Sequence, residues 1–237
     1  MMGLAVATLS LGWAAGASAG VTLDGGYASL NVRGFNSSLD SMGKVMSGAP
    51  IPYDLSSDKI ENGFFVSLNT VMEGPDLRPG LKVEYVQSGL GHLHDEFTFI
   101  PGHVVYDERD TLMMLPIMVG VNPVLAEGGP FKLQGSLYAG YAMAMDAQAV
   151  QSQNWFFSGR PSSVNDGWGG GFVAEGGLSA AYRLSQRLSL NCNAAYRLAE
   201  FGELYTSSKA PVTDWSGAGI DFDMNGVDLG GGLSYAF

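Results

Sequence analysis

Bulky apolar residues alternate with small or polar ones along segment after segment of this chain, and where the alternation is clean every charge falls on the second side. In residues 187–198, Leu188, Leu190, Cys192, Ala194, Tyr196 and Leu198 alternate with Arg187, Ser189, Asn191, Asn193, Ala195 and Arg197. In residues 131–145, Phe131, Leu133, Leu137, Ala139, Tyr141, Met143 and Met145 alternate with Lys132, Gln134, Ser136, Tyr138, Gly140 and Ala144. A period of two belongs to a strand whose two faces meet different surroundings. The last segment, GVDLGGGLSYAF, sets Val227, Leu229, Gly231, Leu233, Tyr235 and Phe237 against Gly226, Asp228, Gly230, Gly232, Ser234 and Ala236. A strand that alternates this way and stops on an aromatic suits the inner rim of a bacterial outer membrane.

Eight such segments can be read: 20–33, 63–72, 80–90, 111–122, 131–145, 168–184, 187–198 and 224–237. Their connectors alternate between short (73–79, 123–130, 185–186) and long (34–62, 91–110, 146–167, 199–223). An even strand number with short turns on one side and long loops on the other is the pattern of a single-chain outer-membrane barrel. The expected fold is therefore all-β, an eight-stranded antiparallel up-and-down transmembrane β-barrel. The weakest registers are those of segments one, two and four. LMMLPIMVGV in segment four is apolar on both faces, and Pro116 removes a ladder hydrogen bond. Residues 38–46 suit a short helix.

Alternation does not by itself say which face points inward, because a water-soluble barrel of lipocalin type alternates too. Turned apolar-side-in, this chain would present mostly Gly, Ala and Ser to water; turned apolar-side-out, small residues fill a narrow bore and bulky ones meet lipid. Charge supports the second arrangement. The four long connectors hold 16 acidic and 5 basic residues, so the whole formal charge of -11 resides in them. An acidic crown suits a lipopolysaccharide surface bridged by divalent cations and excludes the basic footprint that nucleic-acid binding needs.

Residues 1–19 read as a signal peptide, an apolar run ending in Ala17-Ser18-Ala19, and residues 20–237 as one barrel domain. The single cysteine, Cys192, excludes an intramolecular disulfide and a cysteine-based zinc finger, and it falls on the lipid side as a small apolar group.

The C-terminal GLSYAF, the segment GPFKLQGSLYAGYAMAM, LPIMVGVNP and GGFVAEGGLSAAYRLS together resemble the small outer-membrane β-barrel superfamily that includes the OmpA transmembrane domain, OmpX/Ail, the opacity proteins and, more distantly, OmpW. The resemblance covers essentially residues 20–237. It implies assembly by the outer-membrane barrel machinery, with the terminal signature Leu229, Leu233, Tyr235 and Phe237 as the recognition signal. Where the resemblance is to OmpA, the end at Phe237 leads to the expectation that the periplasmic peptidoglycan-binding domain is lacking.

On these registers Lys82, Glu84, Lys132, Glu175, Arg183, Arg197 and Asp228 point into the bore, where each charge must be paired or reach water. The expectation is an ion-pair network that packs and plugs a polar interior, with Glu175 paired to Arg183 or Arg197; the alternative is a narrow channel for ions or small solutes, as in OmpW-like transport. His92, His94 and His103 lie in one long connector with Asp95 and Glu96. His92 and His94 would share a side of an extended strand, but H-x-H lacks a defined third ligand, so no metal site is assigned. A hydrolase would need a lipid-facing Ser-His pair, and none is found, so neither an enzyme activity nor a cofactor is assigned. Trp155, Phe156 and Phe157 in the third long connector are candidates for contact with an external ligand or surface. The functional expectation is an integral outer-membrane protein that supports envelope integrity and carries surface-exposed loops suited to adhesion, its partners being the bilayer, lipopolysaccharide and the assembly machinery.

Overall fold

The computed structural model describes residues 19–32, 36–37, 53–72, 77–99, 102–154, 162–206, 208–211 and 221–237. Eight strands form the barrel: β1 (Ala19–Asn31), β2 (Asn62–Met72), β3 (Pro79–Ser88), β4 (Gly102–Val121), β5 (Phe131–Asn154), β6 (Ser162–Arg183), β7 (Leu188–Glu203) and β8 (Asn225–Ala236). Each pairs antiparallel with its sequence neighbour. β8 then pairs back onto β1, from Gly20 opposite Ala236 to Asn31 opposite Asn225. Closure leaves the eight barrel strands no open edge where they cross, which is the condition for strands to cross hydrocarbon.

The pleat resolves the orientation. Thirty large apolar side chains are exposed among the described residues, including Leu23, Leu68, Ile117, Val119, Leu137, Phe172, Leu190, Leu229 and Leu233. A water-soluble surface rarely carries a contiguous apolar patch above a few hundred Å², so this continuous belt is a lipid-facing surface. At its inner rim Phe131 meets Tyr182 edge-on at 4.9 Å and Tyr235 meets Phe237 at 5.4 Å, the arrangement of an aromatic girdle. The barrel is a multi-pass protein of the bacterial outer membrane.

The short turns lie at the same end as both described chain termini. In the 184–187 turn, Leu184 and Ser185 donate backbone N–H groups to the Leu188 carbonyl at 2.9 and 3.0 Å. Between β4 and β5 the strand Val124–Gly128 folds against β5 and the chain reverses at Gly129, whose φ of 58° is a backbone conformation that favours glycine.

The outer end differs from the expected long connectors. β4 begins at Gly102, β5 runs on to Asn154 and β6 begins at Ser162. A 24-residue β5 reaches ~80 Å at ~3.3 Å per residue, while about 9–11 tilted residues cross the bilayer. Two further strands, Gly91–Phe99 and Tyr53–Asp58, add in turn to the side of β4, and Tyr205–Thr206 and Asp221–Asp223 add to β6 and β7. Outside the membrane water can satisfy backbone groups, so this continued ladder is sheet formed beyond what lipid demands. The expected helix at 38–46, residues 1–18 of the expected signal peptide, and Trp155, Phe156 and Phe157 lie outside the described residues.

Inside, the barrel is not polar throughout, which corrects the expected packed polar interior. Toward the short turns the inward side chains are mainly polar; toward the long connectors they are mainly apolar, with Leu30, Val86, Leu112, Met114, Val173, Ala199 and Phe201 at most 6% exposed, beside the buried polar Ser88 and Asp110. Lipid constrains only the outward face, so the inward face is free to be apolar where side chains fill the space. This accounts for segment four being apolar on both sides.

Candidate functional site in the barrel bore

Where the two linings meet, five charged side chains form an alternating chain across the lumen. Lys82 Nζ donates to both carboxylate oxygens of Glu175 at 2.8 and 2.6 Å and lies 2.6 Å from Glu84 Oε2. Arg197 Nη1 donates to Glu84 Oε1 at 2.7 Å and to Asp228 Oδ2 at 2.6 Å. The order is Glu175, Lys82, Glu84, Arg197, Asp228, each neighbour of opposite sign. β3 carries Lys82 and Glu84, β6 carries Glu175, β7 carries Arg197 and β8 carries Asp228, so the Arg197–Glu84 contact joins walls four strands apart. All five are buried, with Arg197 at 0% exposure and Glu84 at 1%. Ions this deep persist only when paired and hydrogen-bonded.

One step along each strand toward the outer end, the next inward residue is apolar: Val86 after Glu84, Val173 before Glu175, Ala199 after Arg197. Toward the inner end lies a cavity of about 240 Å³ lined by Asn69, Gln134, Ser136, Ser179, Asn191 and Asn193, among others. Its wall is held by short side-chain hydrogen bonds. Asn122 Nδ2 donates to Tyr138 Oη at 2.6 Å, which donates to Asn69 Oδ1 at 2.9 Å, and Asn191 Nδ2 donates to Ser234 Oγ at 2.5 Å.

Five of the seven expected bore charges are thus brought together: Lys82, Glu84, Glu175, Arg197 and Asp228. Lys132 and Arg183 are not part of the chain. Both line the inner cavity, and Arg183 Nη2 bonds Glu127 Oε1 at 3.1 Å across an exposed rim. The expected pairing of Glu175 with Arg183 or Arg197 is replaced by Glu175 with Lys82. Glu175 and Arg183 share β6 but stand eight residues apart, ~26 Å along a strand, beyond any side chain's reach; Arg197, directly opposite Glu175 in register, turns instead to Glu84 and Asp228. Asp24, a bore residue absent from the expected set, lines the cavity below Lys82. Its signal was its position on the even-numbered inward face of β1.

Carboxylate oxygens of Glu84, Glu175 and Asp228 lie within 4.8 Å of one another, a spacing that could hold a metal ion. Lys82 and Arg197 already occupy that space with positive charge, which makes the cluster an ion-pair assembly. Of the terminal signature, Leu229 and Phe237 are 52% and 69% exposed and Leu233 and Tyr235 stand beside them on the lipid side.

A major outer membrane protein from Thermus thermophilus is similar to this chain, with a TM-score of 0.52 at 14% identity over 93% of this chain and 99% of that one. The fold is that of an outer-membrane barrel. OprG from Pseudomonas aeruginosa (TM-score 0.39, 14% identity, 93% and 97% covered) and Ail from Yersinia pestis (TM-score 0.37, 13% identity, 91% and 98% covered) are more loosely similar. No protein-family model matches the chain, and no curated protein matches it in sequence.

Proposed function

We propose that this protein is a non-conducting outer-membrane barrel that supports the envelope mechanically and holds an extended β-sheet beyond the outer leaflet, where its acidic connectors meet lipopolysaccharide and external surfaces. One observation carries the reading: the bore is blocked twice in series, by the Glu175–Lys82–Glu84–Arg197–Asp228 chain and by the apolar filling above it. A solute entering the inner cavity meets an ionic layer and then a dry one. The cavity is what favours the channel reading, since it already opens half the path. Conduction would require both layers to move.

Single-channel recording on refolded protein in planar bilayers tests this. The expected record stays at the leak of the bare bilayer; steady openings of the unmodified chain sink the reading in favour of transport. The surface-contact part rests on the length of β5 and β6 beyond the membrane and on the aromatics of residues 155–157. Deleting residues 150–165 is expected to reduce binding to cells or matrix, and unchanged binding removes that part. The outward Leu229, Leu233, Tyr235 and Phe237 are available for recognition by the assembly machinery.

A further inference from the structure

The bulky belt outside the barrel is uneven. On the lipid side of β5 and β6 three small residues stand together, with Ala139 opposite Ala174 and Gly176 opposite Leu137. Large side chains rise on both flanks: Val119 of β4 beside Ala139, and Leu198 and Tyr196 of β7 beside Ala174 and Gly176. Ala174 and Gly176 are half-buried while Val119, Leu137 and Tyr196 stand mostly exposed around them, and the recess has a volume of about 440 Å³. Pockets of about 300–1,000 Å³ hold small ligands. The glycine at its floor is not forced by the ladder. A Cβ at Gly176 would meet only the Leu137 side chain, at an ordinary 3.5 Å, whereas one at the inward-facing Gly177 would meet the Ala194 carbonyl oxygen at 2.7 Å. Leu137 and Ala139 follow Phe131 of the inner girdle by six and eight residues, ~20–26 Å along a strand. At a strand tilt of ~40° that is ~15–20 Å up a hydrocarbon band ~25 Å tall, so the recess opens to the outer leaflet. At its edge, nothing among the described residues hydrogen-bonds the Tyr196 hydroxyl.

We propose that this recess seats the acyl chains of one lipopolysaccharide molecule, with Tyr196 donating a hydrogen bond to an ester or amide carbonyl where a chain joins its headgroup. The occupant is a lipid because the recess is continuous with the lipid-facing belt, and it is lipopolysaccharide because the recess lies in the outer half of the bilayer. Acyl tails are as apolar as the belt itself, so escape from water does not drive the association. Retention comes from dispersion contacts, which a concave wall supplies on several sides of a chain and a convex one on a single side. The hydroxyl adds direction, since a phenol facing hydrocarbon finds its polar partner in the lipid. The two to three strand spacings between the flanks, ~10–14 Å, give room for chains lying side by side. The site is separate from the bore, so it stands whether or not the bore conducts.

The test refolds the full chain in detergent with purified lipopolysaccharide or, separately, with phosphatidylethanolamine, and counts retained lipid by native mass spectrometry. The expected result is one lipopolysaccharide per chain, held under conditions that strip the phospholipid. Gly176→Leu fills the recess and is expected to weaken retention about tenfold or more, and Tyr196→Phe to weaken it less. Val66→Leu, which adds bulk to the lipid side of β2 on another part of the wall, is expected to leave it unchanged. Heat-modifiable gel migration shows that each variant retains a folded barrel. The proposal is overturned by loss of all lipopolysaccharide from the unmodified chain, by equal retention of the phospholipid, by unchanged retention in Gly176→Leu or by an equal loss in Val66→Leu. It is also overturned by a lipid-free dimer that Gly176→Leu dissociates, which would make a second copy the occupant.

Discussion

Below Lys82 the bore is walled by amides, hydroxyls and the charged Asp24, Lys132 and Arg183 around open space, whereas above Arg197 it is filled mainly by apolar side chains, Leu112, Met114, Val173, Ala199 and Phe201, with scarcely any exposure. Both halves have the same belt of bulky residues outside. The contrast separates two demands that a barrel strand meets at once. Its outward face is fixed by lipid, so alternation there is obligatory. Its inward face answers only to space, pairing and water, so it can be polar where water enters and apolar where side chains pack. The five-residue ionic chain lies at the boundary, where the charges have lost bulk water and must satisfy one another.

Breaking the boundary costs most. Arg197→Met removes the partner of both Glu84 and Asp228 and is expected to destabilise the barrel by about 3–5 kcal/mol, read from urea unfolding in liposomes by loss of heat-modifiable migration. It is still expected not to conduct, because the apolar half remains closed; a cost below about 1 kcal/mol would mean the two linings need no ionic seam. Leu112→Ala probes the filled half. A cavity left in a packed region costs about 2–5 kcal/mol, and a negligible loss would show that this half is loosely packed. Asn191→Ala probes the open half, where water from the cavity can replace a lost partner of Ser234. Its expected cost is at most about 1.5 kcal/mol, and a loss as large as that of Leu112→Ala would erase the distinction between the halves.

The strands legible in the sequence were those whose inward face is polar. β5, β7 and β8 separate their faces residue by residue, and the structure keeps those separations: Leu190 and Leu198 outward, Asn191 and Arg197 inward. Segment four was ambiguous because its inward residues Leu112, Met114 and Met118 are as apolar as the outward Leu115, Ile117 and Val119. Parity assigns a residue to the bore, but depth decides its partner, which is why Arg183 reaches Glu127 at the rim and Glu175 reaches Lys82 across the lumen. The outer ends of β4, β5 and β6 were read as connectors because the apolar face stops at the membrane while the hydrogen-bonded ladder continues.

Cys192 gives the most direct probe of orientation, since it is the single cysteine of the chain and its side chain is exposed on the outward face of β7 between Leu190 and Ala194. A spin label attached there, with the protein in liposomes, should relax strongly with oxygen dissolved in the bilayer and weakly with a water-soluble nickel chelate. Strong relaxation by the chelate and little by oxygen would put the bulky face in water and contradict a lipid-facing belt.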